Sequence, residues 1–484
     1  MRRWWSPLLT CLALAGCLAM DPYAALPIAQ YLPRDDPVGD CARLFRHSDA
    51  LIEAADTRDV QTPRVSGFPY LRVDRTLAAL APQTAVEPHQ AAAWRDALAA
   101  LDESSRRLEL RNAGHEDAAT GQALDDCRRR LATADLQQLP VLRDAAQVPD
   151  DYSLTARVLG LYPLTRYVFA AGIRRWQHGT LADFVAHSDA DPWADRRRRR
   201  YVAGPSPATL PTPGSAPELG LPDVAPADLA ALLTRHAPVL AIETASDDDR
   251  PGALVWRPEA GRLRIDVAVD RPVLYVRRGY TRIGERWLLQ LSYTTWFAAR
   301  PSMSPIDLLA GRLDGLLWRV TLAEDGSALV YDTIHPCGCY HLFLPTERLS
   351  VRRQPETLDE GLFVPQTMRS PAADERIVLK VAAGSHYLQR VDIETAPGNE
   401  SLALELRDDD ELRSLPLPGG GRRSAFGADG LIAGSERLER YFFWPMGIAS
   451  AGQMRQWGRH ATAFVGRRHF DDPLLFDRYF QLPP

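Results

Sequence analysis

Gly315 to Thr346 reads Gly-Leu-Leu-Trp-Arg-Val-Thr-Leu (315–322), Ala-Glu-Asp-Gly-Ser (323–327), Ala-Leu-Val-Tyr-Asp (328–332) and Thr-Ile-His-Pro-Cys-Gly-Cys-Tyr-His-Leu-Phe-Leu-Pro-Thr (333–346). Two apolar runs rich in β-branched and aromatic residues flank a polar turn that carries Gly326, which predicts a β-hairpin. Beyond it, His335, Cys337, Cys339 and His341 fall within seven residues. A reactive cluster where a strand leaves its sheet stands on a rigid base, so these four are the candidate site.

The same period of two extends on either side. Leu263, Ile265, Val267 and Val269 alternate with Arg264, Asp266 and Ala268, and Val273 to Arg277 and Trp287 to Thr295 flank a turn near Gly284. A further hairpin runs from Ile377 to Ile393 and turns at Gly384-Ser385. This half of the chain therefore predicts an antiparallel sheet, onto which the aromatic-rich stretch Tyr441 to Phe480 folds. Asp247-Asp248-Asp249 lacks the spacing of a Ca²⁺ loop and reads as a solvated turn.

Toward the N-terminus the period changes to 3.6. Cys41, Leu44, Phe45, Leu51 and Ile52 mark a helix ending near Ala55, a second runs from Pro88 to a stop at Gly114, and a third spans about Gln122 to Thr133. Leu154 to Trp176 continues helical with a break at Pro163; its apolar run fits a buried helix better than a membrane-surface one. Arg196 to Arg200 reads as a solvated charge block. Seven prolines between Gly204 and Pro226 suggest a stiff linker. The predicted class is α+β: an α-helical domain (41–203), the linker (204–226) and a mostly antiparallel β domain (227–484).

Met1 to Gly16 places Arg2 and Arg3 before a short apolar run, which is the layout of a secretory signal. Leu14-Ala15-Gly16-Cys17 resembles the lipobox of bacterial lipoproteins. The resemblance implies acylation at Cys17, sorting to the outer membrane with the body in the periplasm, and a membrane partner held through the N-terminal lipid. Residues 17–40, with Pro22, Pro27, Pro33 and Pro37, read as the tether. Ser292 to Pro301 and the Asp307 to His341 segment are similar to an uncharacterised family of proteobacterial lipoproteins, which implies a compartment and no activity. Cys41 and Cys127, each on the apolar face of a predicted helix, are expected to bridge in an oxidising compartment.

Composition narrows the chemistry. The 484 residues are 45% hydrophobic and 25% charged with a formal net charge of -5, which gives no reason to expect nucleic acid as partner. Lys380 is the sole lysine, so a phosphate loop is excluded, and no His-Glu-x-x-His or Gly-x-Ser-x-Gly occurs. The His335 to His341 cluster leaves three readings open: a Cys337–Cys339 disulfide, free thiols, or a Zn²⁺ site in which Pro336 and Gly338 curl the loop around the ion. Asp332 and Tyr340 are the neighbours placed to orient an imidazole, and His236, His386, His460 or His469 could add support from a distance. The functions compatible with this are a metal- or thiol-dependent enzyme such as a zinc hydrolase, a dithiol redox device, and a non-catalytic envelope protein that binds a partner or polymer.

Overall fold

The hairpin at Gly311–Leu322 and Ala328–Ile334 lies inside a ten-stranded sheet. In spatial order the strands are Leu342–Pro345, Ala328–Ile334, Gly311–Leu322, Arg286–Arg300, Val273–Ile283, Ser401–Asp408, Arg198–Ala203, Val239–Glu243, Glu375–Val381 and Leu388–Thr395. The first five form an antiparallel meander, because short turns such as Gly284 and Gly326 join them. Ser401–Asp408 pairs in parallel with both neighbours, and Glu375–Val381 with Val239–Glu243, each reached by a long excursion of chain. The structure, a computed structural model, describes residues 21–86, 88–186, 198–205, 211–215, 218–395 and 401–483. Cys17 and the whole leader lie outside the described residues, as do parts of the arginine block (196–197) and of the proline-rich stretch (206–210, 216–217).

The chain is α+β, with a helical N-terminal region followed by the mostly antiparallel sheet. The Trp287–Phe297 and Leu313–Leu322 segments of the central strands are buried on both faces, so their sequences run apolar without strict alternation. One face packs Leu291, Tyr293, Phe297, Leu316 and Trp318 against Leu232 of the helix Pro226–His236 and against Phe184. The helical region has its own core around Phe45, Tyr70, Trp94 and Leu131, and Trp287 of the sheet reaches into it.

Helices form where expected, with caps that set their starts. Asp36 accepts from the amides of Val38 and Gly39 to open Pro37–Ala54. Asp117 caps Ala118–Ala134 through Thr120, which starts the third helix a turn before Gln122. Cys41 and Cys127 are joined by a disulfide, with Cα atoms 5.0 Å apart.

Four expectations are corrected. The segment 21–40 is no free tether: Tyr23, Ile28 and Tyr31 are buried, and Tyr23 and Tyr31 donate hydroxyl hydrogen bonds to Asp49 and Asp135. Arg198 to Arg200 are strand residues within the sheet, and acids from other strands pair with two of them: Arg198 meets Glu243 of the adjacent strand at 2.9 Å and Arg200 meets Glu394 at 2.7 Å, while Arg199 stays exposed. Asp249 of the acidic triplet turns inward and accepts from the amides of Ala245, Ser246 and Gly384. The run after Leu154 is two helices, Leu154–Leu159 and Tyr162–Ala186, and most of its large apolar side chains face outward.

Candidate active site

The chain turns sharply after Ile334. His335 N–H donates to Cys339 O at 3.0 Å, Gly338 N–H donates to His335 O at 2.8 Å, and Gly338 has φ +90°. A Cβ at Gly338 would meet Ala461 O at 2.5 Å, and one at Gly315 would meet Pro336 at 2.9 Å, so two glycines let the turn close onto the sheet. The curl expected from Pro336 and Gly338 is present.

The register of this turn, which pairs Thr333 with Leu342, then separates the four candidate residues. Thr333 and Leu342 lie on the face with His335, whereas Asp332 and Phe343 lie on the other with His341. His341 Nε2 is 2.9 Å from Asp332, whose carboxylate is clamped by Arg319 at 2.9 and 2.6 Å, and its Nδ1 is 3.3 Å from Thr462 Oγ1. Burial, against the pull of Asp332, pushes the His341 imidazole down to about 3. Cys337 and Cys339 are free buried thiols in an apolar cluster with Leu313 and Met454. The amide of Cys339 donates to Cys337 Sγ at 3.4 Å; the hydrogen bond from Cys337 and burial raise the Cys339 thiol well above its ordinary range.

His335 enters a different constellation. Its Nδ1 is 3.2 Å from Asp314 Oδ1, and the other oxygen of Asp314 is 2.9 Å from His386 Nδ1. His386 Nε2 in turn faces Asp249 Oδ1 at 3.4 Å, an ion contact. Burial works against charge on Asp314, yet His335 and His386 outweigh it and hold this carboxyl well below the usual range. An ionised carboxylate only accepts, so Nδ1 of both imidazoles carries hydrogen. Burial lowers His335 despite Asp314, which leaves it neutral at pH 7 with a free electron pair on Nε2. His386 is raised in spite of burial because it lies between Asp249 and Asp314, and Phe297 stacks on its ring at 4.0 Å.

His335 lines a cavity of about 210 Å³ with Trp176, Tyr340, Tyr387, Ser385 and Gln389. Tyr340 and Tyr387 stand edge-on to its ring at 5.1 and 5.7 Å, and Arg300 lies over Tyr387 at 4.8 Å. Leu313, Tyr340 and His386, none of them glycine, have φ of +55°, +64° and +52°. Backbone strain of this kind gathers at functional sites, since only surrounding contacts can maintain it. Three larger clefts of about 810, 1180 and 630 Å³ are lined by charges already paired in place, such as Arg277 with Asp410, Arg459 with Asp151 and Arg75 with Asp471.

No protein-family model matches the chain, and neither does any curated protein or solved structure. The geometry therefore carries the functional reading.

Among the described residues no group of three or more His, Cys, Asp or Glu is arranged to hold a metal ion. His335, Cys337, Cys339 and His341 do not form one ligand set, because the turn that pairs Thr333 with Leu342 leaves the histidines on opposite faces while both thiols pack into the apolar cluster. Asp332 Oδ2 lies 2.9 Å from His341 Nε2, and Tyr340 packs against His335. Of the distant histidines only His386 joins the site; His236 bonds Gly326 O, His469 lies by Asp150 and Asp151, and both ring nitrogens of His460 are buried without a partner. Asp314 and Asp249 were missed. The legible signal for Asp314 was an acid set in the apolar run from Leu313 to Leu317.

Proposed function

We propose that this protein is a lipid-anchored component of the cell envelope, held through Cys17 with its body in the periplasm, and that His335 is the general acid–base of a hydrolytic site. The lipobox resemblance supports the anchor, and the Cys41–Cys127 disulfide supports an oxidising compartment. The observation that carries the site is the neutral imidazole of His335, fixed by Asp314 and lining an aromatic cavity.

In this reading a water in the cavity gives a proton to His335 Nε2 as its oxygen attacks the substrate, and the same proton passes to the leaving group. Asp314 keeps the tautomer and stabilises the imidazolium formed in between, while the His386–Asp249 pair holds Asp314 in place. Trp176, Tyr340 and Tyr387 offer flat faces, and Gln389 and Ser385 offer hydrogen bonds, so the cavity suits one small polar ring, such as a sugar or a cyclic amide.

A dithiol device is less well supported: Cys339 is buried and its thiol raised, the reverse of a reactive thiolate. The test is turnover of chromogenic glycosides, esters and amides by the purified protein. His335→Gln should lower kcat about 10²–10⁴-fold with the fold intact. Turnover that survives His335→Gln would place the chemistry at another site, and ligand binding with no turnover at all would favour the non-catalytic envelope protein.

A further inference from the structure

The two helices Leu154–Leu159 and Tyr162–Ala186 expose an apolar surface that none of the described residues covers. Leu159, Leu161, Leu164, Val168, Phe442 and Trp444 are between 43% and 75% exposed. They form one patch because their backbones are locked together: Gly160 packs so closely on Pro445 that a Cβ would meet it at 2.5 Å, and Phe169 meets Phe443 edge-on at 5.0 Å. Arg157 reinforces the joint, donating to Met446 O at 2.8 Å beneath Tyr162. Six such side chains in water cost free energy unless something takes them up.

Charge and the start of the chain indicate what does. Arg174 and Arg175 are exposed on the same helix, Arg166 is half-buried beside Asp359, and Arg440 lies over Tyr441 at the patch edge. Leucine with tryptophan, tyrosine and arginine is the composition that settles at the boundary between acyl chains and anionic headgroups. Asp21, where the described chain begins, lines the same cleft as Ser153 and Gly447, which are next to Leu154 and Met446. Cys17 is four residues earlier, a reach of about 14 Å. No described helix is long and apolar enough to cross a membrane, so contact at the surface is what this patch can make.

We infer that this patch is a membrane seat: its leucines and Trp444 enter the outer acyl region of the bilayer while the arginines meet anionic headgroups. The orientation rests on the proposed anchoring at Cys17. The patch itself does not.

The test uses the full chain as purified from membranes, reconstituted into phosphatidylethanolamine–phosphatidylglycerol vesicles whose acyl chains carry bromine, a quencher of tryptophan emission. Quenching is expected, and Trp444→Phe should remove a measurable part of it although eight other tryptophans remain in the chain from Cys17 onward. Leu164→Glu with Val168→Glu changes only exposed positions, so the fold should persist while quenching falls severalfold. Vesicles that carry the acylated protein without quenching would overturn the seat and leave the anchor standing. Quenching by protein whose intact mass lacks an acyl group would uphold the seat and refute the anchor. Dimers in sedimentation, with no quenching, would assign the patch to a second copy and overturn the seat.

Discussion

Asp314 is the residue on which the site depends, since one carboxylate holds two imidazoles. Asp314→Asn keeps the shape and removes the charge, so His335 loses its tautomer lock and His386 one of its two anions. We expect kcat to fall about 10²-fold or more, and stability to fall by about 1–3 kcal/mol as two buried imidazoles lose a charged hydrogen-bond partner. Denaturant titration and imidazole NMR shifts would check both. Because His335 is lowered from 6.5, the acid limb of a kcat/KM profile should lie below that value and the rate be flat at pH 7 from this group. Glu439, raised by burial to about 7 against the pull of Arg437 and Arg300, interacts with Asp314 and is the second titration to look for. Glu439→Gln should erase a near-neutral inflection; a profile identical in the variant would remove Glu439 from the site.

At the scale of elements, the helical region is held by a buried ionic network as much as by apolar packing. Asp102 accepts from Arg72 at 3.3 Å, Arg106 at 3.0 Å and Arg128 at 2.9 Å, all of them buried. Asp102→Ala leaves three guanidinium groups facing an apolar gap, and a loss of about 3–5 kcal/mol is expected in urea unfolding. A gain is available at the hairpin Ala253–Glu259 and Arg262–Ala268. Its two turn residues, Ala260 and Gly261, both have positive φ, at +49° and +75°. Ala260→Gly relieves the side chain that resists this geometry and should add up to about 1 kcal/mol, read as a rise in Tm.

Across the whole molecule, two features set the conditions under which it stays folded. The Cys41–Cys127 disulfide closes a sequence separation of 86, for which chain entropy gives about 4–5 kcal/mol, so Cys41→Ala should lower the denaturation midpoint markedly. Burial pushes His341 and His460 down to about 3 and His236 to about 4. The unfolded chain then binds protons below pH 6.5 that the folded chain refuses, so stability is full above 6.5 and lost as pH falls toward these values. Glu439 opposes this between pH 7 and 4.5, because it takes up its proton in the folded state first. The balance of three histidines against this carboxyl leaves a loss of about 1–3 kcal/mol per pH unit, which urea midpoints between pH 6.5 and 4.5 would measure. A midpoint that rises on acidification would contradict it.

Local pattern alone determined the helix-then-sheet order, the Gly326 hairpin and the partnership of Cys41 with Cys127, because periods of 3.6 and 2 and the apolar setting of a cysteine are written in neighbouring residues. The same period of two, followed past Ile334, would keep His335, Cys337, Cys339 and His341 on one face; the turn that pairs Thr333 with Leu342 is what parts the two histidines. Tertiary structure decided what sequence distance hides. Asp249, Asp314, His335 and His386 come from separate strands and turns up to 137 positions apart, and only the sheet brings them together. It also decided that Arg198 to Arg200 enter the sheet, since the acids that pair with Arg198 and Arg200 arrive from other strands. The apolar run after Leu154 looks from its composition like core; whether it is covered depends on what packs over it, and among the described residues nothing packs over Leu159, Leu164 or Val168.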